Sequence, residues 1–541
     1  MGRSLHAAAH DLHSTGGTSE PLETLLADGV ELQRLGRNDE ALAVFGRCLE
    51  VAPAHPSAQL LAAASNLRIG QWERGVAHAR VAAAAAPGSA TAWCNIAIGL
   101  RELRRGREAA HAARKALDLD PRLAEAWNTL GLVALDSESL DTARAHFLRA
   151  LEIDPRLAWA HVSLAKLDQS LGRIDAALES YRNAQAIDPT LAEIPFGRGN
   201  LYSRTGRFDA AITAFQETIA LRADHPFAHR NLSQVLLLTG DFAGFWDQSR
   251  WRPSRLDYEA RLKTLGRAYE IPSPSKLAGA RLLVIGEEGV GDTIFLLRYA
   301  PWIRALGVRL DFCGDARLHA MLSRTGLFER LGVSDDEMRE DGVHEMLAGD
   351  LVLLLPEARR GEVPPPLVLV PDAARVAAIR ARLSPLGPAP CVALAWRAGA
   401  VRTGVFNSLF KELPLSALGT ALKGKRATWI SVQREPRAGE TETLARHLGG
   451  KVHDFSAINE DLEEALALMA VIDDFVGVSN TNVHLLAGCG GHANMLVPFP
   501  YQGRWMAQGT SPWFPTMRVY RQAIDGSWDE AFAQLSREIG S

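Results

Sequence analysis

The sequence lacks the features that define several large classes of protein. No apolar run approaches the about 20 residues that a membrane-spanning helix needs. The opening segment 1–21 has no apolar core of the kind found in signal peptides, and we expect it to be a disordered tail. Cysteines are few, odd in number and never paired as CxxC, so neither a disulfide framework nor a zinc site is expected and a reducing cytoplasm fits best. The five are Cys48, Cys94, Cys313, Cys391 and Cys489.

An excess of charge of either sign is also lacking. The formal net charge is −4, without the basic surplus that a general nucleic-acid binder shows. HExxH and GxSxG motifs are absent, so neither the usual zinc-protease site nor a serine nucleophile is expected. His6 and His10 lie four residues apart in the tail, and no metal site is expected there. Hydrophobic residues at 47% and charged residues at 23% are ordinary for a globular chain, which excludes wholesale disorder. A length of 541 residues leaves room for several domains.

What the first half does have is a fixed repeat. Prolines recur every 34 residues at Pro53, Pro87, Pro121, Pro155 and Pro189, and 34 is the tetratricopeptide (TPR) period. The spacing predicts a TPR superhelix over 22–262, made of six helical hairpins and a capping hairpin. The predicted repeats are 22–55, 56–89, 90–123, 124–157, 158–191 and 192–225.

The residues inside each repeat fit two closely packed helices. Small residues such as Gly131 and Ala143 let the helices approach, and the aromatic side chains of Phe147, Tyr181 and Phe215 fill the space between hairpins. Stacked hairpins of this kind leave a concave groove that usually binds a protein partner. Polar residues on the first helices of the hairpins are candidates to line that groove, although solvated side chains are the commoner case. These weak candidates are Asn95, Asn128 and Arg198.

The second half alternates strand-like and helical segments, which predicts an α/β region with parallel sheets. A linker is expected at 263–280, followed by two Rossmann-like halves at 281–383 and 384–541 that enclose a cleft. Ligands of such sheets bind beyond the carboxyl ends of the strands. The expected strands are 281–285, 308–314 and 350–356 in the first half, and 391–396, 427–433, 474–479 and 493–498 in the second.

The loop GEEGVGDT at 286–293 follows the first of these strands. It nearly matches a Walker A loop, but Asp292 stands where the lysine should be, and a carboxylate there would repel phosphates. Ile294 replaces the third glycine of a dinucleotide-binding loop, so that pattern fails as well. Asp292 is either a helix cap or a general base in the cleft. The backbone of the cleft would come from Gly289, Gly291 and Thr293.

A second polar loop follows the strand at 474–479. Its residues can cap a helix, and the N–H groups of a helix start suit a phosphate. Arg397 and Lys411, on a loop with Arg402 and Asn407, would add positive charge, with a solvated loop as the alternative. Gln433 and Arg434 are weaker candidates of the same kind. The polar residues of the second loop are Ser479, Asn480, Thr481 and Asn482.

Four sequence segments resemble the C-terminal domain of bacterial TPR-linked glycosyltransferases, which are related to the ADP-heptose transferase group. The segments are LLVIGEEGVGDTIFLLRY, the WxxG at 396–399, SNTNVHLLAG, and the tail GRWMAQGTSPWFPTMRVYRQ. The resemblance implies a GT-B fold of two Rossmann-like halves, with the acceptor on the first half and a nucleotide sugar on the second. It implies no essential metal and no tightly bound cofactor. Asp292 would match the catalytic aspartate, and 479–484, including His484, the donor-binding turn.

The segment SNTNVHLLAG departs from the pattern of the heptose transferases. They usually carry Asp-Thr and then a histidine, whereas this chain has Asn480-Thr481 with His484 displaced by one place. This version is more similar to the branch whose TPR arrays present protein acceptors, including cytoplasmic enzymes that glycosylate flagellin from a CMP-linked nonulosonic acid. Three hypotheses stay open: an inverting protein glycosyltransferase, a binding scaffold that has lost its chemistry, and a heptose-type transferase acting on a lipopolysaccharide or other glycan.

Overall fold

The computed structural model describes residues 22–273, 277, 279–340, 342–398 and 411–539. The expected tail at 1–21 and the loop residues Arg402 and Asn407 lie outside the described residues. The chain divides into two compact units, Met1–Arg198 and Gly199–Ser541. The second unit therefore contains the last part of the repeat array together with the α/β region.

Twelve helices form the six predicted hairpins, one in each 34-residue repeat. The first helix of each pair and its partner are joined by a short turn, and the prolines of the repeats follow the second helices. The helices are α1 (Leu22–Arg34), α2 (Asn38–Val51), α3 (Pro56–Arg68), α4 (Trp72–Ala85), α5 (Ala90–Glu102), α6 (Gly106–Leu119), α7 (Ala124–Asp136), α8 (Leu140–Ile153), α9 (Ala158–Ser170), α10 (Ile174–Ile187), α11 (Glu193–Arg204) and α12 (Phe208–Leu221).

The packing inside a hairpin follows the prediction from residue size. A Cβ added to Gly131 in α7 would lie 2.4 Å from the ring of Phe147 in α8, so only glycine lets the two helices approach this closely. Gly29 in α1 stands in the same relation to Phe45 in α2, at 2.3 Å from its ring. The rings of Phe147 and Phe45 are fully buried. The glycine and the aromatic residue therefore form one packing unit.

Three further helices follow the repeats: α13 (Pro226–Thr239), α14 (Phe242–Asp247) and α15 (Pro253–Thr264). The predicted capping hairpin, α13 and α14, contributes to the core of the α/β region in the same unit. Trp246 is buried, and its indole Nε1 donates a hydrogen bond of 3.1 Å to the hydroxyl of Tyr299. The hairpin is therefore a structural part of the second unit as well as the end of the array.

The first half of the α/β region is a four-stranded parallel sheet in the order β3-β2-β1-β4. The predicted strand at 350–356 is wrong: Ala348–Leu354 is a 3-10 helix, and the strand lies just before it. A short buried apolar run fits either structure, because its periodicity carries no information. The elements are β1 (Arg281–Ile285), α16 (Val290–Leu296), α17 (Ala300–Ala305), β2 (Arg309–Cys313), α18 (His319–Arg324), β3 (Phe328–Gly332), α19 (Asp335–Met338) and β4 (His344–Leu347).

The second half is a six-stranded parallel sheet in the order β12-β11-β10-β5-β8-β9. Its four predicted strands are present as β5, β8, β10 and β11, and the edge strands β9 and β12 were not predicted. The elements are α20 (Ala373–Leu383), β5 (Cys391–Ala395), β6 (Arg397–Ala398), β7 (Lys411–Glu412), α21 (Leu415–Leu422), β8 (Thr428–Ser431), α22 (Glu440–Leu448), β9 (Val452–Asp454), α23 (Leu462–Met469), β10 (Asp474–Gly477), α24 (Thr481–Gly488), β11 (Ala493–Val497), β12 (Met517–Arg521) and α25 (Asp529–Glu538).

This strand order identifies where a ligand would bind. The chain builds outward from β5 to β8 and β9 on one side, and through β10, β11 and β12 on the other. The direction of winding thus reverses between β5 and β10. In doubly wound sheets, the crevice beyond the carboxyl ends of the strands at such a switch point is the usual binding site. The loops after β5 and β10 therefore border the expected binding crevice.

Candidate functional site

The structure brings together the two loops that were singled out from the sequence. Helix α16 begins after the loop that follows β1, helix α24 begins after β10, and the two helices pack against each other. A Cβ added to Gly291 would lie 3.0 Å from the His484 ring and 3.4 Å from the Cα of Thr481. Glycine at 291 is therefore what lets the Asp292 turn and the start of α24 meet.

The turn that carries Asp292 is held from behind by a buried carboxylate. Glu287 accepts hydrogen bonds from the Arg252 guanidinium at 3.0 Å, from Ser254 Oγ at 2.6 Å and from the Gly349 backbone N–H at 2.5 Å. Thr293 Oγ1 donates to the backbone carbonyl of Glu287 at 2.8 Å. The hydroxyl of Thr293 thus fixes the turn, and the position of Asp292 is set by a rigid frame.

Asp292 lies at the open side of this frame. Its side chain is 43% exposed, and its Oδ1 accepts a hydrogen bond of 2.5 Å from Arg504 Nη2. Burial of the group alone would raise the pKa of the carboxyl. The charge and the hydrogen bond of Arg504 more than offset that effect, so the pKa of Asp292 is lowered. The carboxylate is therefore ionised and paired.

Arg504 joins Asp292 to His484. Its Nη1 donates to His484 Nε2 at 3.0 Å, and its guanidinium lies 4.6 Å from the centre of the Phe295 ring. His484 is buried, and burial together with the charge of Arg504 puts its pKa well below the usual value. An arginine can only donate, so the His484 ring is neutral and accepts at Nε2.

Lys411 adds a second cation near the same point. Its Nζ donates to the backbone carbonyl of Ser479 at 2.8 Å, which places the ammonium beside the start of α24. Burial and then the charge of Arg504 lower the pKa of Lys411 to about 7, and Asp292 acts in the opposite direction. The charge of Lys411 is therefore sensitive to pH near neutrality.

The residues at the start of α24 have different tasks. Asn480 is the cap: its Oδ1 accepts from the backbone N–H of Val483 at 3.3 Å. Asn482 is buried, and its amide donates to Asn459 Oδ1 at 3.1 Å, which secures the helix. Ser479 is buried as well, and Thr481 is half-buried. The first N–H groups of a helix have no partner within it, so this start is suited to an anion.

Arg397 was a further candidate for phosphate binding, but its side chain bonds to residues outside the Asp292 cluster. Its guanidinium donates to the carbonyl of Glu435 at 3.0 Å and to the carboxylate of Glu440 at 2.9 Å. Gln433 accepts at Oε1 from the backbone N–H groups of Trp396 and Arg397, and it thereby fixes the loop after β5. Both residues shape the crevice, while the cations at the Asp292 cluster are Arg504 and Lys411.

Two arginines of the site were missed from the sequence. Arg504 is one, and Arg298 is the other: it is 2% exposed and donates to the carbonyls of Phe295 at 2.9 Å and Trp513 at 3.0 Å. Burial lowers the pKa of Arg298 to about 9. Arg504 lies within GRWMAQGTSPWF, a run that the resemblance had already marked, so its place in that run was the available signal.

The groove candidates of the repeat array lie in the first unit. Asn128 is buried in α7, and Asn95 is half-buried in α5. Arg198 donates from Nη1 to Gln185 Oε1 at 2.6 Å. Asn128 and Arg198 are therefore partly occupied with packing and internal hydrogen bonds.

The described residues hold neither a metal-binding cluster nor a membrane-spanning helix. Across 22–273, 277, 279–340, 342–398 and 411–539, no three His, Cys, Asp or Glu side chains come together in a group that could hold a metal ion. Within the same ranges, no helix has the length and apolar character required to cross a membrane.

Comparison with known proteins bears on the repeat array. Models of tetratricopeptide repeats match residues 26–90, 94–158 and 196–245, and a further TPR model matches 165–206. Protein FlbA of Caulobacter vibrioides is 25% identical over 337 residues, which is 56% of this chain and 53% of FlbA. The chain thus spans about half the length of that relative. The matched share of this chain is larger than the repeat array, so the match extends beyond it.

Solved structures resemble a smaller part of the chain. The Cut9–Hcn1 hetero-tetramer of APC/C is 20% identical, covers 40% of this chain and 43% of its own, and gives a TM-score of 0.36. Pseudomonas aeruginosa pilF is 18% identical, covers 39% of this chain and 95% of its own, and gives a TM-score of 0.30. The chain contains an array of TPR repeats, and such arrays bind protein partners.

Proposed function

We propose that this chain is a cytoplasmic glycosyltransferase that transfers a sugar from a nucleotide sugar to a Ser or Thr hydroxyl of a protein held by the TPR array. The reaction inverts the anomeric carbon and uses no metal. One observation carries the proposal: a carboxylate, two cations and a helix start converge beside the switch point of a doubly wound sheet. Transfer from a nucleotide sugar to a hydroxyl needs a base beside a phosphate site, and this arrangement supplies both.

The donor phosphate would occupy the start of α24. The first N–H groups of the helix point toward it, and the positive end of the helix dipole favours an anion. Lys411, already beside the carbonyl of Ser479, supplies a compact positive charge. Arg504 supplies a planar guanidinium that binds phosphate oxygens in pairs. These groups recognise the phosphate whatever sugar or base it carries.

Asp292 would serve as the general base. The acceptor oxygen attacks the anomeric carbon, and its proton passes to the Asp292 carboxylate. The bond from that carbon to the donor phosphate oxygen breaks, and its electron pair leaves with the nucleotide. Arg504 and Lys411 stabilise the charge that develops on the leaving phosphate. A single displacement of this kind inverts the anomeric configuration.

Donor binding would also prepare the base. Arg504 is paired with Asp292, and a carboxylate in such a pair is a weak base because its pKa is lowered. A donor phosphate competes for the same guanidinium. When Arg504 turns toward the phosphate, Asp292 loses its partner and its pKa rises toward a value that suits proton transfer. The nucleotide sugar therefore binds before the acceptor reacts.

The repeats support the proposal of a protein acceptor, since TPR arrays bind protein segments. Flagellin as the acceptor, and a CMP-linked nonulosonic acid as the donor, rest on the similarity of SNTNVHLLAG to the protein-glycosylating branch. The heptose-type alternative would use the same phosphate site with a glycan acceptor.

A thermal-shift screen of the full chain with CMP-, UDP-, GDP- and ADP-sugars tests the donor site. We expect one nucleotide class to raise the melting temperature, and Asp292→Asn to keep that shift while losing transfer. Mass spectrometry of flagellin from a strain that lacks the gene tests the acceptor. The absence of a shift with every nucleotide would favour the scaffold hypothesis, and transfer to a glycan alone would favour the heptose-type enzyme.

A further inference from the structure

A groove of about 470 Å³ lies in the first unit, in the third TPR repeat and its neighbour. Helices α4 and α6 form its walls, and α5 forms its floor. The floor is apolar, because Ile96 and Leu100 are almost fully buried there and the Trp93 indole lies beside them. Both walls are built from alanine, with Ala83 on α4 and Ala112 on α6. The groove is thus wide enough for one large apolar side chain.

Trp93 lacks a side-chain hydrogen bond that other repeats have at the same position. Positions spaced 34 residues apart from 59 to 229 lie near the start of a first helix, and at four of them the side chain bonds to the carbonyl six residues earlier, which fixes it against the preceding loop. Pro195, at a fifth position, has no side-chain donor. Trp93 has a donor at the remaining position, yet among the described residues its buried Nε1 has no acceptor. The recurring bonds are Gln59 to Pro53 at 2.6 Å, Trp127 to Pro121 at 3.0 Å, His161 to Pro155 at 3.0 Å and His229 to Ala223 at 2.9 Å.

Arg107 stands at a repeat position where the other repeats have an acidic residue. At its position, in the first turn of the second helix, the other five repeats carry an acid, which the positive start of a helix favours. An arginine there costs local stability and places an exposed cation at the edge of the groove. The acids at this position are Asp39, Glu73, Asp141, Asp175 and Asp209.

The edge of the groove is positive. Arg80, Arg107 and His111 are exposed along it, and Lys115 Nζ lies 5.2 Å from the centre of the Trp93 ring. Glu108 also lies there, but its carboxylate is paired with Arg105 at 2.7 Å. Carboxylates of a peptide bound along this edge would therefore be attracted by its cationic side chains.

We propose that this groove docks an acidic segment of a protein partner, with one large apolar side chain against Trp93 and carboxylates facing Arg80 and Arg107. An unbonded indole with an apolar floor suits an aromatic or long aliphatic side chain. The walls are second helices of the repeats, so this surface is separate from the groove formed by the first helices. The array can thus hold two segments at once. The inference holds whether or not the α/β region transfers a sugar.

Fluorescence anisotropy of the full chain with short labelled peptides tests the site. The probe carries one Phe between Asp and Glu residues, and its two controls replace the Phe by Ala or the acids by Lys. Variants that restore the pattern of the other repeats, Arg107→Asp and Trp93→His, should weaken binding of the probe by about tenfold or more. Both changes copy residues used elsewhere in the array, and we expect Arg107→Asp to leave the melting temperature unchanged or to raise it.

Arg182→Asp is the matched control, because Arg182 stands on α10 at the repeat position that Arg80 holds on α4. It should bind the probe like the unmodified chain, whereas Arg80→Asp should not. Equal binding of the Phe and Ala peptides would overturn the apolar anchor. Unchanged binding by Arg107→Asp, or no binding of the probe at all, would overturn the docking site.

Discussion

Arg504 donates a hydrogen bond of 2.5 Å to Asp292, although the two residues are 212 positions apart in the chain. The carboxylate belongs to the first turn of α16, and the guanidinium belongs to the segment between β11 and β12. The C-terminal segment of the chain therefore sets the charge environment of the proposed base. This pair links the two sheets chemically, and it can be tested by removing either partner.

Replacing Arg504 by Gln should raise the pKa of Asp292. The cation that lowers this pKa is gone, while the burial that raises it remains. The acid limb of a plot of kcat/KM against pH should move to higher pH, because that limb reports the base of the free enzyme. Since Arg504 also contacts the donor phosphate in our proposal, kcat/KM should fall by about tenfold or more at every pH.

Arg504→Lys is the matched control, since it keeps a positive charge beside Asp292. Its acid limb should stay near that of the unmodified chain even if activity falls, because lysine cannot bind the phosphate in the same paired way. An acid limb that does not move in Arg504→Gln would show that Asp292 is not the group titrating in that limb.

Lys411 should make donor affinity depend on pH near neutrality. Its pKa is lowered to about 7, so the group is a cation below that pH and neutral above it. A nucleotide sugar keeps the charge of its phosphodiester over this range. Its dissociation constant should therefore rise as the pH increases above about 7, which isothermal titration calorimetry at several pH values would measure.

Lys411→Arg serves as the control for this titration. The guanidinium stays protonated throughout the range, so the variant should bind the donor with little dependence on pH. Lys411→Met should bind about tenfold or more weakly at pH 6 and should also lose the dependence. The same rise in all three proteins would assign the titration to another group.

The fold was predictable where periodicity carried the information. The 34-residue spacing gave all six hairpins, and isolated apolar runs flanked by turns gave β1, β5 and β10. The strand expected at 350–356 is a 3-10 helix, because an unbroken apolar run only shows that a segment is buried. The edge strands β9 and β12 were missed, since a strand with one neighbour needs less apolar sequence.

The site was predictable only in part, for a physical reason. Asp292 and Ser479 lie beyond the carboxyl ends of β1 and β10, so the rule for parallel sheets places each of them at the ligand-binding edge of its own sheet. Arg504 also lies beyond the carboxyl end of a strand, β11, but it stands among apolar and aromatic residues instead of in a polar loop, and the contact of its guanidinium with Phe295 cannot be read from the sequence. Arg397 does follow a strand, but Glu440 captures it. Position beyond a strand predicts the neighbourhood of a side chain and leaves its partner open.

Glu287→Gln should destabilise the second unit by about 1–3 kcal/mol, because it removes one of two carboxylates that surround Arg252 inside the fold. Glu288 is the exposed neighbour, and Glu288→Gln should change the free energy of unfolding by no more than about 0.5 kcal/mol. Denaturant unfolding of both variants would measure the difference. Equal stabilities would mean that Asp350 alone satisfies Arg252.

Gly131→Ala should destabilise the repeat array, against the usual effect of such a change. In most helix interiors, replacing glycine by alanine stabilises by about 0.5–1 kcal/mol. Here the new Cβ would lie 2.4 Å from the Phe147 ring, which is fully buried and cannot move aside, so we expect a loss of about 1–3 kcal/mol. Gly46→Ala is the matched control, because Gly46 lies inside α2 and a Cβ there would meet no atom within 4 Å. Helical circular dichroism during denaturant unfolding would measure both, and a gain of stability in both would show that the glycine and the ring do not form one packing unit.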